Sequence, residues 1–163
     1  MYHTKEPTAE QLALRDEIRA EFPYLVDRTT LDKKISSTAL GSKNIKRLLS
    51  RKFPGVKFSC KSDLYAGGST IYVSWEDDGE GPTHQQVNSL VDANFSYARF
   101  DGMTDSSDYD RDPWRQEFRA LFGSASYVSP QPRKISPEEV AQRQAAKLAK
   151  ATPASPARRR PGL

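Results

Sequence analysis

Apolar residues recur along this chain at two spacings, and the spacings divide it into helices and strands. In "EPTAEQLALRDEIRAEF", Leu14, Ile18 and Phe22 share one helical face, and Thr8, three residues ahead of Gln11, has the spacing of a capping box. A first helix to about Glu21 is predicted, ended by Pro23. The polar stretch "DRTTLDKKISSTALGS" has weak periodicity and reads as either a loose helical turn or a linker. From Ser42, taken as a cap, Ile45, Leu48, Leu49 and Phe53 return to helical spacing until Pro54-Gly55 stops it. The period then changes to two. Val56, Phe58 and Cys60 alternate with Lys57, Ser59 and Lys61, and Ile71, Val73 and Trp75 alternate with Thr70, Tyr72 and Ser74.

Two half-buried strands around "YAGGS" make an antiparallel hairpin, with Gly67-Gly68 supplying the turn. The glycine pair lacks the Lys-Ser/Thr of a P-loop and precedes a strand, which argues against phosphate cradling. Thr83 and Gln86 form a second capping-box pair before Val87, Leu90 and Val91. "FSYARFDG" reads as a third strand. Asp112 and Pro113 open a helix carrying Trp114, Phe118, Leu121 and Phe122, and Gly123 ends it. "SASYVS" reads as a fourth strand, and Ser136, Pro137 and Glu139 begin a last, weakly anchored helix.

This order predicts an α+β fold: a small antiparallel sheet of three to four strands, helices packed on one face, and helices at both ends. The expected organisation is an N-terminal helix and linker over 1–41, a core domain over 42–135, a C-terminal helix over 136–150, and a disordered basic tail over 151–163.

Charge sharpens the picture. Ten basic residues against Asp32 give residues 28–61 a net +9, whereas eleven acids against three arginines give residues 76–117 a net −8. The basic half lies on one helix face and the strand after it, at Lys43, Lys46, Arg47, Arg51, Lys52, Lys57 and Lys61, with Tyr72 on the open face of the hairpin. Aligned cations release counterions from phosphates, and a ring offers a stacking surface to bases, so these eight residues are the candidate nucleic-acid site. The alternative is a protein partner met by an acidic surface at Asp101, Asp105, Asp108 and Asp110, with residues 76–80.

Catalytic chemistry is sparse. The histidines are His3 and His84, and a Cys60/His84 pair requires a thiol that strand alternation points inward. One cysteine allows no internal disulfide and cannot by itself build a zinc site. The acidic run lacks the central glycine of a calcium loop. The expectation is therefore no catalytic residues, no metal and no cofactor, in a cytoplasmic protein without a membrane span.

Taken together, "RKFPGVKFSCKSDLYAGGSTIYVSW", "GPTHQQVNSLV", "FDGM" and "FGSASYVSPQPRKIS" resemble one of the large polyvalent protein associated domains, over about residues 43–137. Cys60, the turn "EDDGEGPT" and the acidic 104–112 depart from that pattern. The resemblance implies a protein of a phage or conjugative element acting in a bacterial host, and it supplies no catalytic residues. It fits a non-enzymatic accessory protein that works by binding, nucleic acid first, with inhibition of a host defence system (anti-CRISPR or anti-restriction) as the alternative.

Overall fold

The computed structural model describes residues 6–101 and 106–151. Its elements run α1 (Ala9–Glu21), a single 3-10 turn (Arg28–Thr30), α2 (Ser37–Lys52), β1 (Ser59–Tyr65), β2 (Gly68–Asp77), α3 (His84–Phe95), β3 (Ala98–Asp101), β4 (Ser106–Tyr109), α4 (Pro113–Phe122), β5 (Tyr127–Lys134) and α5 (Pro137–Ala151). The α+β class holds. Both capping boxes form, Thr8 with Gln11 and Thr83 with Gln86, and the Asp112 carboxylate accepts from the Arg115 amide. The Glu139 amide donates to Ser136 Oγ, which caps α5.

α2 starts earlier than its spacing indicates. Ser36, not Ser42, is the N-cap, and its hydroxyl accepts from the Ala39 amide. Thr38, Leu40 and Gly41 are buried in the added turn, so burial, which local pattern does not report, decides among the serines of "SSTALGS". Gly123 ends α4 at φ 88°, and the Ser124 amide donates to Ser37 O at 3.0 Å. A Cβ at Gly123 would lie 2.4 Å from Gly41 N and 2.5 Å from Ser37 O, so the two backbones touch where no side chain fits.

The main sheet has three strands in the order β1-β2-β5. β1 and β2 form the expected antiparallel hairpin with Tyr65 opposite Gly68, but the turn is Ala66 and Gly67, the latter at φ 92°, and not Gly67-Gly68: Gly68 opens β2, where a Cβ would come 3.0 Å from Ser126 Oγ. The all-antiparallel expectation fails at β5, which runs parallel to β2 from Thr70/Tyr127 to Asp77/Lys134, so the sheet is mixed. β5 also continues past Ser129 through Pro130 and Pro132. Both prolines share one parity on an edge strand, so their missing N–H groups fall on the side away from β2. The third predicted strand leaves this sheet. After a parallel bridge from Ser96 to Ala125, β3 pairs antiparallel with β4, a strand drawn from the acidic run, where no strand is predicted. β1 covers Ser59–Tyr65, so it begins and ends later than the alternation from Val56 predicts.

α2 lies against β1 and β2, α3 against β5, and α4 contacts α1, α2 and α3. Phe118, fully buried, is the centre of this packing, with the rings of Phe22, Phe95, Trp114 and Phe122 at 5.2, 5.1, 5.5 and 5.0 Å. One residue ties the segment after Pro23 to this core. Asn44, fully buried, accepts from the Val26 amide at 2.7 Å and donates to Val26 O at 2.9 Å and Phe122 O at 2.8 Å. The predicted tail lies outside the described residues, apart from Ala151, which ends α5.

Candidate functional site

Helical periodicity places Ile45, Leu48 and Leu49 of α2 in the core and leaves Lys43, Lys46, Arg47 and Arg51 on the outward face. The chain reversing at Pro23 then lays Tyr24 across that face. The Arg51 guanidinium sits 4.4 Å from the Tyr24 ring centroid, and Arg47 Nη1 donates to Tyr24 O at 3.3 Å. Tyr24, Lys43, Lys46, Arg47, Ser50 and Arg51 line an open depression of about 440 Å³, with no acidic residue among the described residues of its wall.

The other candidates lie elsewhere. Lys52 is exposed at the end of α2. Lys57 lines a second, larger groove of about 710 Å³ with Ser59, Ser74, Glu76, Arg133 and Arg143. Glu76 is paired there with both Arg133 and Arg143, which fastens α5 to the sheet. Lys61 and Tyr72 face each other across β1 and β2 on the outer side of the sheet, opposite the face that carries Ile71 and Val73 and that α2 covers. The eight residues thus form one compact group of four, a pair on the far face of the sheet, and two singles.

The outer face holds two rings that the sequence reading missed. Tyr65 lies over Gly68, where a Cβ would come 3.1 Å from Cε2, and its hydroxyl is 2.8 Å from Thr70 Oγ1. Tyr127 sits opposite Thr70 on β5, and Tyr72 follows two residues along β2. Thr70 is therefore enclosed by three tyrosines and is only 7% exposed although it faces outward. Period-two alternation back from Tyr72 reaches the hairpin end beside Tyr65, whereas Tyr127 is found only through the parallel register. Tyr24 had no local signal.

The acidic candidates are engaged or undescribed. Burial works against ionising Asp110, but hydrogen bonds from Arg119 Nη2 at 2.8 Å, the Asp112 amide at 3.1 Å and Arg115 Nη1 at 3.3 Å outweigh it, and hold the carboxyl at about 2. Arg119, buried, also donates to the carbonyls of Ala93, Asn94 and Ser96, so Asp110 closes an internal network. The Asp77 and Asp78 carboxylates accept amides of Gly79, Glu80 and Gly81 and build the turn. Asp105 lies outside the described residues, and for Asp101 and Asp108 only the backbone, in β3 and β4, is described.

A pH dependence follows from Asp110. Its folded pKa lies below the ordinary 3.8, so its contribution is complete above that value and is lost as pH falls towards 2. Thermal melts across that range are expected to show a falling acid limb. Asp110→Asn is expected to lower Tm at neutral pH and flatten that limb, and a limb of unchanged slope would remove Asp110 from the account.

The Cys60 thiol is pushed up to about 11 by burial, with Lys46 drawing it back only in part, so at neutral pH it is protonated. His84 is exposed in the first turn of α3. Among the described residues, no group of three His, Cys, Asp or Glu side chains is placed to hold a metal ion, and no helix is long and apolar enough to cross a membrane.

Fold and surfaces together define a small α+β domain whose mixed sheet is covered by helices on one face and carries tyrosines on the other. The chain belongs to the family described as large polyvalent protein associated domain 29, whose profile matches residues 36–136, a domain of the large polyvalent proteins of mobile elements. The match begins at the Ser36 cap of α2. No curated protein and no solved structure matches the chain.

Proposed function

We propose that this protein is a non-enzymatic accessory of a phage or conjugative element that binds nucleic acid through the outward face of α2, in the cytoplasm of a bacterial host. The observation that carries this reading is the convergence of Lys43, Lys46, Arg47 and Arg51 around Tyr24 in one depression, with no acid among its described lining residues. Four cations within one helix face meet successive phosphates and release their counterions, which gives affinity without base reading. Lys61 and Tyr72, side by side on the outer face of the sheet, add a cation and a stacking ring for a single strand. Among the described side chains, the acidic-surface alternative has no comparable convergence in its favour, because Asp110, Asp77 and Asp78 are bonded within the fold.

The test is a salt series on random duplex and single-stranded oligonucleotides. Log affinity is expected to fall with log salt at a slope of about −3 to −4, the value for roughly four neutralised phosphates. Lys46→Glu/Arg47→Glu/Arg51→Glu is expected to abolish binding, while the control pair Lys33→Glu/Lys34→Glu, reversing two cations outside the cluster, leaves most of it. Tyr72→Ala is expected to weaken single-strand binding alone, by about 1–3 kcal/mol. Absence of binding at low salt, or equal loss in the Lys33/Lys34 control, would overturn the proposal.

A further inference from the structure

β1 is an edge strand whose outer side no described residue pairs. Such an edge presents a row of free amides and carbonyls, and proteins ordinarily blunt it with charge or cover. Here Ser59 and every residue from Lys61 to Gly67 are exposed, Leu64 to 68%. Leu64 shares with Cys60 and Ser62 the helix-side face of the sheet, yet only Cys60 is half-buried there and packed against the core. The cover provided by α2 therefore ends after Cys60, and an apolar side chain projects just beyond it.

We infer that β1 pairs antiparallel with β1 of a second copy of this chain, about a two-fold axis at Ser62, to join two three-stranded sheets into one of six strands. In this register Lys61 lies opposite the partner's Asp63, and Asp63 opposite the partner's Lys61. On the other face Cys60 lies opposite the partner's Leu64, which brings each exposed leucine beside the half-buried position next to α2 of the other copy. Lys46 of α2 is near enough to Cys60 to act on its thiol electrostatically, so the helix borders the place Leu64 would fill. The two α2 helices stay apart, because each covers the end of β1 that lies away from the axis.

The sequence selects this register. A shift of two residues either way opposes Lys61 to Lys61 or Asp63 to Asp63, and a shift of one turns the two sheets face to back. The charges that would keep an uncharged strand off this edge thus complement a second copy. The association leaves the α2 cluster untouched, but Lys61 also serves the nucleic-acid reading, so Asp63→Lys, at a residue outside that reading, is the variant whose effect on dimerisation is separable from nucleic-acid binding.

Sedimentation over a concentration series tests it, using the whole chain. A monomer–dimer equilibrium is expected. Lys61→Asp alone and Asp63→Lys alone are each expected to lower the association constant by at least about tenfold, the effect of opposing like charges twice in a symmetric interface. The double variant Lys61→Asp/Asp63→Lys is expected to restore it. On a Cys60→Ser background, Ser62→Cys is expected to give a covalent dimer under mild oxidation, because residues on the axis come within disulfide reach. A chain that stays monomeric up to about 1 mM, where even weak specific complexes form, would overturn the inference. So would a dimer indifferent to both single reversals, or one not restored by the double exchange. Circular dichroism of each variant distinguishes lost pairing from lost fold.

Discussion

Gly123→Ala is expected to lower stability by roughly 4 kcal/mol or more, which for a chain of this length moves Tm down by about 10 °C or more. Two penalties combine at this position. The backbone stands at φ 88°, where an L side chain is strained, and the added methyl would overlap Gly41 N at 2.4 Å, Ser37 O at 2.5 Å and Leu40 C at 2.9 Å. All three are backbone atoms of one helix turn, so no rotamer change relieves the overlap. Relief requires α2 to move off the end of α4, which breaks the bond from the Ser124 amide to Ser37 O and loosens the seat of Leu40. Gly55 supplies the control. It stands at φ 89° with nothing within 4 Å of its missing Cβ, so Gly55→Ala is expected to cost only about 1 kcal/mol, the conformational part. Denaturant titrations of both variants, followed by the fluorescence of buried Trp75, separate the strain from the clash. Equal losses would show that the close contact of α2 with the 123–124 turn contributes nothing.

Asn44→Ala is expected to cost about 3 kcal/mol, because it leaves the Val26 amide and the carbonyls of Val26 and Phe122 without the partner that Asn44 gave them, at about 1–3 kcal/mol for each buried group. The higher helix propensity of alanine returns only about 0.5 kcal/mol. Asn44→Asp is the sharper variant, since it keeps the shape and changes the chemistry. A carboxylate cannot donate to the Val26 and Phe122 carbonyls, so at neutral pH it is expected to be no more stable than the alanine variant. If denaturation midpoints place Asn44→Asp beside the wild type, the side-chain amide is not the tie described.

These two residues also mark where sequence reading stops. Elements set by local chemistry were legible: the two capping boxes, Asp112-Pro113, Ser136 and the hairpin reversal at Gly67 each act within a few residues of the structure they form. The basic stripe of α2 was legible for the same reason, because 3.6-residue periodicity that buries Ile45 and Leu48 turns Lys43, Lys46 and Arg47 outward. Features set across the chain were not. Ser36 and Ser42 are equivalent as caps until Leu40 and Gly41 find Gly123, and Asn44 reads as a polar position until Val26 and Phe122 surround it. Tyr24 joins the basic face only because the chain reverses at Pro23. The parallel register of β5 has no local signal at all, and the strand runs on through two prolines well past the "SASYVS" that alternation marks. The third strand was assigned to the wrong sheet because a strand's alternation names its faces and not its neighbour.

The mixed sheet fixes an order of assembly. β2 meets β1 across a two-residue turn, a closure that takes microseconds in isolated hairpins, whereas its other neighbour lies far along the chain, as the Ser69–Ser126 hydrogen bonds across 57 residues show. β5 can dock only after α3 and α4 have been laid down and have folded back, so the loop entropy of that whole segment is spent before the central strand gains its second ladder. During that interval both sides of the early hairpin are open: one awaits β5, and the other is β1. A nascent chain at this stage is expected to be most open to strand exchange with its neighbours.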